Sequence, residues 1–535
     1  MSKNLTTDFI PYKETGYFSD FICRYVAEDS ELKRLYNRFP CLENFEHQIL
    51  EKEKAYNHSS RAILSEIISD QYEGLQLSKL TLNNISALKN SKTFTITTGH
   101  QLNLFTGPLY FLYKIVSTIN LARQLKQTYP SYNFVPIYWM ASEDHDFEEI
   151  NYFNFKGKKI QWNSNQSGAV GPFSTSGLED VLEIVSAEFG PGKNAEQLKT
   201  WFKEAYLKHE TLADATRYLA NALFGEHGLV VIDANAKELK QLLLPQLEKE
   251  LFDQIAFNKV SETNSHLEQL GLKIQVNPRE INLFYLTEGL RGRIIFNDGR
   301  FSVADSEISW NKVELKQELY EHPERFSPNV IIRPLYQEVL LPNLCYIGGG
   351  GEMIYWLQLK SSFEAQKVTF PILLLRNSAL IKSKKQAVKL EKLDISNADL
   401  FLKRNTFINK HVRKISNIDI DFSEQISHLE KQFQNLHRLA EQTDKSFLGA
   451  VKAQEVKQIK GLKHLEKRLL KAQKRKLKDQ IERSTGLQEQ LFPNESLQER
   501  NSNFSELYLE YGEDLIPSLL DNLEPLKPEF SILQF

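Results

Sequence analysis

The sequence predicts an α/β protein: an open sheet wound by helices, interrupted twice and followed by a long helical arm. Three observations predict it. Two strand-like runs, 93–99 and 134–140, each end in a polar turn, and a helix of apolar period lies between them. The strand–turn–helix order returns over 228–257 and 330–377, after stretches of different character. From about residue 383 the chain turns charged and heptad-patterned.

In the first run Phe94, Ile96 and Thr98 alternate with Thr95 and Thr97, and Gly99 ends it by admitting a turn that β-branched residues resist. His100, Gln101 and Asn103 therefore fall in a strand-to-helix turn. Thr106 is placed to cap the next helix and Pro108 to fill its first turn. Leu112, Ile115, Val116, Ile119 and Leu125 follow at helical spacing, so this helix covers a sheet. Lys114, on its early turns, either reaches an anion at the strand end or lies along apolar surface.

The second run, Phe134, Val135, Ile137, Tyr138, Trp139 and Met140, is apolar almost throughout, as in a strand covered on both faces. It stops in Ser142, Glu143, Asp144, His145 and Asp146, then Glu148 and Glu149. Carboxylates beside an imidazole serve as acid and base, hold Mg²⁺ through oxygen, or bind an amine; a solvated acidic turn is the plainer alternative. Position favours a site, because ligands of open α/β sheets lie beyond the carboxyl ends of the strands.

Helical periodicity over about 20–88 predicts helices docked ahead of the first strand, with Arg61 and Asp70 either facing a pocket or salt-bridged. Residues 151–162 read as a hairpin around Gly157, 164–177 as loop, and 195–224 as helix. GLVVIDAN, 228–235, is another buried strand; Asp233 and Asn235 at its end either meet a ribose or phosphate or cap the helix expected over 239–257. Residues 273–305 alternate apolar and polar around turn signals, the signature of a small antiparallel sheet. Its Arg279, Arg291 and Arg293 either clamp a carboxylate or phosphate or stay solvated.

Residues 330–332 are expected to be a strand or strand end, leaving Arg333 at the mouth of a helix that starts at Pro334 and carries Gln337 and Glu338. Gly348, Gly349, Gly350 and Gly351 follow an apolar strand and precede a helix with Glu352 and Trp356, so their N–H groups are placed to meet an anion. No Lys-Ser or Lys-Thr follows them, which excludes a Walker P-loop. Residues 371–377 form the last buried strand, with Arg376 at its end.

In the arm, Phe422, Ile426, Leu429, Phe433, Leu436 and Ala440 form one seam, and Val456, Ile459, Leu462, Leu465, Leu469 and Ala472 another. Two such helices make an antiparallel coiled coil that buries its stripe against itself or a second copy, so a homodimer is expected. The basic run 467–483 reads as the solvated face of that coil rather than a nucleic-acid surface. The segment after Phe492 is expected to return to the core.

With 535 residues the chain exceeds one ordinary core. Its 41% apolar and 11% aromatic content is globular, and a net charge of −3 predicts no gross electrostatic partner, neither nucleic acid nor membrane. Cys23, Cys41 and Cys345 are far apart, which argues against a thiolate zinc site and suits a reducing compartment. No leader-like or membrane-spanning run occurs, so a soluble, cytoplasmic protein is expected.

The stretches TTGHQLNLFTGPLYFLYKIVSTINLA (97–122), VPIYWMASEDHDFEEIN (135–151) and RPLYQEVLLPNLCYIGGGGEMIYWLQLK (333–360), with LQER at 497–500, resemble the bacillithiol-biosynthesis cysteine-adding enzymes in order and nearly end to end. This chain has His100 where that family often has Gln, and Asn103 where it often has Gly. The resemblance implies a Rossmann-like core with two connecting-peptide inserts and a helical dimerisation arm. The expected division is 1–92 for N-terminal helices, 93–150, 225–260 and 328–382 for the core, 151–224 and 261–327 for the inserts, 383–490 for the coiled coil, and 491–535 returning to the core.

The implied reaction joins the carboxyl of cysteine to the amine of glucosaminyl-malate, and such a bond needs the carboxylate activated, with ATP the expected source and Mg²⁺ its companion. The candidate catalytic residues are His145, Asp144, Asp146 and His100. Candidates for binding substrate are Thr98, Gln101, Asn103, Lys114, Ser142, Glu143, Arg333, Gln337, Glu338, Glu352, Trp356 and Arg376; Gly348, Gly349 and Gly350 are candidates for the nucleotide or another anion. No protein-held metal site is expected. Another nucleotide-dependent transferase, or a coiled-coil adaptor that senses a nucleotide without catalysis, stands as the alternative.

Overall fold

The computed structural model describes residues 5–535; residues 1–4, the start of the stretch read above as lacking a leader, lie outside the described residues. The chain separates into two compact units, one running to Ile381 and including Gln498–Leu533, the other comprising Lys382–Leu497 and Gln534–Phe535.

The first unit is built on five parallel strands: β1 (Thr93–His100), β2 (Asn133–Met140), β3 (Val230–Asp233), β4 (Asn343–Gly348) and β5 (Ile372–Leu375), in spatial order β5-β4-β1-β2-β3. Every residue of β1 is buried, as a central strand covered on both faces requires. Phe94 and Ile96 pack with Leu121 and Leu125 of the helix Tyr110–Thr128, with Leu344 and Ile347 of β4 and with Ile372 and Leu374 of β5. Each such side chain contributes roughly 1.5–3 kcal/mol of burial. The chain leaves β1 towards one edge and later returns to β4 on its other side. That reversal makes the carboxyl ends of β1 and β4 the topological switch point, where ligands of doubly wound sheets bind.

The turn after β1 departs from the expected cap. Phe105 and Thr106 lie in the left-handed region (φ 47° and 67°), Gly107 follows at φ 62°, and the helix begins at Tyr110 with no side-chain cap. Thr106 therefore caps nothing. The strained backbone is held from outside: Asn503 donates from Nδ2 to the Phe105 and Gly107 carbonyls at 2.8 and 2.6 Å, and the Phe105 N–H donates to the Tyr206 hydroxyl at 2.7 Å.

The hairpin around Gly157 pairs Tyr152–Phe155 with Lys158–Gln161. The helix expected over 195–224 is instead two, Lys193–Leu207 and Leu212–Phe224, because the chain breaks at Lys208 and Thr211 caps the second; a further helix, Leu178–Phe189, precedes them and ends at Gly190, which takes positive φ. The helix expected over 239–257 is broken into Lys237–Gln241, Leu244–Asp253 and Ile255–Gln269, with Gln254 left-handed at the last junction. Strands Leu283–Thr287, Leu290–Asn297, Arg300–Val303 and Ser309–Trp310 form the small antiparallel sheet, joined at one edge by Phe326–Pro328. Residues 330–332 are not a strand: the Asn329 side chain accepts from the Ile331 N–H at 2.8 Å, turning the chain into the helix Arg333–Leu340. Among the described residues Arg61 pairs with no acid; its guanidinium donates to the Leu88, Ser91 and Thr93 carbonyls, tying a helix to the start of β1.

In the second unit, helices Ser423–Ala440 and Lys445–Lys476 fold back on one another around Phe433, Ala440 and Val451, with Leu429 packed against them. Leu436, Val456 and Leu465, expected in the seams, are 41–51% exposed, because one pair of helices buries only a narrow stripe. Among the described residues no helix is long and apolar enough to cross a membrane.

Candidate active site

A cavity of about 750 Å³ lies against the carboxyl ends of the strands, at the switch point. Gly99, His100 and Gln101 reach it from β1, Ala141 to Asp144 from β2, Ala234 and Asn235 from β3, Gly349 to Glu352 from β4, and Arg376 from β5. Arg279, Arg291 and Arg293 line it from the antiparallel insert, and Arg500 from the returning C-terminal segment. Seven lysines and arginines thus line the cavity against three carboxylates. Among the described residues no carboxylate lies within ion-pair distance of Arg279, Arg291, Arg293, Arg333 or Arg500.

The other cations are tied. Lys114 is buried and donates to the Gly99 carbonyl at 2.7 Å and to Glu352 at 2.6 Å. Burial is the largest influence and would raise the Glu352 carboxyl, but the Lys114 ammonium together with hydrogen bonds from Tyr346 and Gly349 outweighs it and holds Glu352 below the ordinary carboxylate range. Glu352 also accepts from the Tyr346 hydroxyl at 2.6 Å and from the Gly349 N–H at 2.8 Å. The glycine turn is therefore capped by its own helix, and its anion capacity is reduced accordingly. Gly348 stays within the sheet, where its carbonyl accepts from the Arg376 N–H. Arg376 forms a buried pair with Glu499 at 2.7 Å, which seats the short helix Gln498–Asn501 beside the cavity.

Arg333 is different. Its guanidinium lies 5.6 and 5.9 Å from the ring centres of Tyr346 and Trp356 and donates to Gln337 at 3.1 Å and the Tyr355 hydroxyl at 3.4 Å, all neutral partners. A cation placed this way attracts an anionic ligand.

At the end of β2 the acids take separate roles. Glu143 pairs with fully buried Lys240 and accepts from Ser327 at 3.0 Å, while Ser142 donates to Asp233. Asp144, 32% exposed, accepts from Gln101 at 3.0 Å and from the His145 N–H at 2.8 Å. Asp146 is exposed and lies outside the cavity lining. His145, expected to be catalytic, is likewise outside the cavity lining: its side chain is 52% exposed, and the cavity-lining Arg291 approaches its Nδ1 at 2.8 Å. Arginine only donates, so Nδ1 accepts and the ring proton is on Nε2: as arranged, His145 is a donor. His100 is the reverse. It is buried, hydrogen-bonded to the Thr106 backbone, and its Nε2 has no partner among the described residues. Burial, then Lys114 and Arg376, hold it well below the ordinary imidazole range, so it is a neutral acceptor.

Five expected binding residues are not brought to the cavity. Thr98 spends its hydroxyl on the Ile347 carbonyl at 2.7 Å. Gln337 and Glu338 are buried beneath Arg333, where Glu338 pairs with Lys52 at 3.1 Å and accepts from Asn343. Trp356 stacks on Tyr346 at 4.4 Å and supports it from below. Asn103 lines a smaller neighbouring cavity instead. The reading of the turns passed over Tyr110, Tyr346 and Tyr355, which line the main cavity; in the sequence they resemble ordinary core aromatics.

Residues 5–377 match the family described as bacillithiol biosynthesis BshC, N-terminal Rossmann-like domain, and residues 379–535 match its C-terminal coiled-coil domain. Proteins of Christiangramia forsetii, Flavobacterium johnsoniae and Flavobacterium psychrophilum, each named "Putative cysteine ligase BshC", are 59%, 56% and 55% identical over 99% of this chain and 99–100% of their own length. With both halves matched in order, the chain belongs to the BshC family of bacillithiol biosynthesis.

Proposed function

We propose that the protein is an amide-forming ligase that joins the carboxyl of L-cysteine to the amine of glucosaminyl-malate, completing bacillithiol, with ATP activating the carboxylate. The observation that carries this reading is the sign of the cavity: seven cations against three carboxylates, in a chain whose net charge is −3. Such a cleft concentrates anions, and the reaction brings two, a polyphosphate and a malyl dicarboxylate. The names of the relatives support a ligase.

The residues fit ATP. Arg279, Arg293, Arg333 and Arg500 would hold its phosphates, in preference to the self-capped glycine turn. When bound, ATP supplies a leaving group on the cysteine carboxyl. Among the described residues no three acids, histidines or cysteines are grouped to hold a metal ion, so Mg²⁺ would be carried by phosphate oxygens. As the amine nitrogen bonds the acyl carbon it sheds a proton, and half-exposed Asp144 is the acceptor for it. His145, donating from Nε2, holds a substrate oxygen, and His100 accepts a hydrogen bond at Nε2. The helical arm, with its apolar residues left exposed, pairs two copies.

Purified protein incubated with cysteine, glucosaminyl-malate and ATP should give the thiol product by mass spectrometry, with one AMP or ADP per product. Nucleotide turnover without that product would refute the acceptor. Asp144→Ala and His145→Ala should fold and lose ligation; full activity in either would remove that residue from the mechanism.

A further inference from the structure

A second cavity, of about 320 Å³, branches from the main one past Gln101, Tyr110 and Arg500, which line both. Its walls come from the turn after β1, from the first strand of the hairpin and from the C-terminal segment. Unlike the main cavity it is electrically balanced, since Glu149 and Arg500 are its charged groups; the remaining polar side chains are amides and phenols.

One of those amides points to a ligand. Asn103 is 8% exposed, donates from Nδ2 to the Glu149 carbonyl at 3.2 Å, and leaves Oδ1 buried with no partner among the described residues. Its position is enforced: Gly107 has φ +62°, and a Cβ there would stand 2.6 Å from the Asn103 Cβ. Only glycine lets the turn close on that amide. A buried acceptor left open in this way is destabilising unless a donor meets it.

We propose that this side cavity binds the uncharged pyranose ring of an amino-sugar acceptor. Hydroxyl groups both donate and accept, and so match amides and phenols; a polyphosphate or dicarboxylate belongs with the arginines next door. The ring's hydroxyls meet Asn103, Asn154 and Tyr152, and its amine lies at the branch point, beside Gln101 and Asp144. The inference rests on the acceptor being a glycoside, as proposed above.

Isothermal titration of the full-length protein with glucosaminyl-malate, and separately with L-malate, tests it. Asn103→Leu removes the open acceptor. Asn154→Phe fills the cavity from the hairpin without touching the turn, and serves if the first variant misfolds. Each should raise the Kd for glucosaminyl-malate about tenfold, the worth of one buried hydrogen bond, and leave the Kd for L-malate within about twofold. Equal weakening of both ligands, loss of cysteine or ATP binding instead, or no change would overturn the subsite. Wild-type protein that binds no glucosaminyl-malate would overturn the functional reading as well; glycoside binding indifferent to both variants would sink the subsite alone.

Discussion

Replacing Arg333 by Met separates a functional cation from a structural one. In the structure the guanidinium has aromatic faces at 5.6 and 5.9 Å and neutral hydrogen-bond partners, with no carboxylate in ion-pair range among the described residues. Losing two cation–π contacts costs about 1–2 kcal/mol. Arg333 is partly exposed at the cavity, so relief from desolvating its charge is of similar size and offsets that loss. The net change in stability should be near zero or favourable, and the thermal midpoint should move by no more than about 2–3 °C in a unit of this size. The bound anion, however, loses a charge-assisted partner worth about 1.5–3 kcal/mol, so the Kd for ATP or L-malate should rise roughly 10–150-fold. Differential scanning fluorimetry and titration calorimetry on one preparation read both. A midpoint lowered by more than about 5 °C would make Arg333 a structural residue, and unchanged affinity for both anions in a stable variant would end its assignment to the site.

Glu499→Ala should destabilise the first unit by about 3–5 kcal/mol, because it strands the buried Arg376 charge; urea unfolding with a probe in that unit measures it, and a loss below about 1 kcal/mol would deny the pair its role. Glu250 is fully buried, and burial pushes its carboxyl from 4.5 up to about 7. The folded state therefore holds the proton more tightly than the unfolded chain, so this contribution is present below about pH 4.5 and is lost as pH rises through about 7, an effect of order 3 kcal/mol. Glu250→Gln should flatten that slope, and an unaltered pH profile of stability would contradict it. On the arm, Leu439→Glu with Leu465→Glu, two positions 54% and 51% exposed, should convert a dimer to monomer by light scattering while helicity persists; a wild-type monomer would remove the proposed pairing.

What the sequence makes legible is what local pattern encodes. β1 and β2 are readable because all of one and nearly all of the other is buried, which forces continuous apolar or β-branched runs, and their polar ends mark the site. The three-stranded sheet of Thr6–Pro11, Glu529–Gln534 and Ala379–Lys382 is not readable, since its members lie far apart in the chain and each is short. The same distance hides ion pairing. Glu338 looks like a site acid on a helix behind Arg333, yet Lys52, 286 positions away, claims it inside the core. Glu143 looks as available as Asp144, and only the fold brings Lys240 to it.

Ion pairing then decides chemistry that residue identity leaves open. Lys114, Arg376 and Arg333 read alike as cations at strand ends, but Glu352 neutralises the first and Glu499 the second, so the third is left to meet a ligand. His100 and His145 read alike as possible bases, but Arg291 occupies the acceptor nitrogen of His145, whereas the open nitrogen of His100 is buried among cations that keep it neutral. In the proposed reaction neither imidazole is then disposed to carry away the proton released on amide formation, and the proposal gives that role to Asp144, the cavity-lining acid at the end of β2 whose ion-pair neighbour is the His145 ring, at 3.6 Å. Asp144→Asn, which keeps the size and the hydrogen bond from Gln101 reversible by an amide flip, should lower kcat far more than it raises KM for the acceptor, because it removes proton acceptance and leaves shape intact. A variant changed in KM alone would return the proton to one of the histidines.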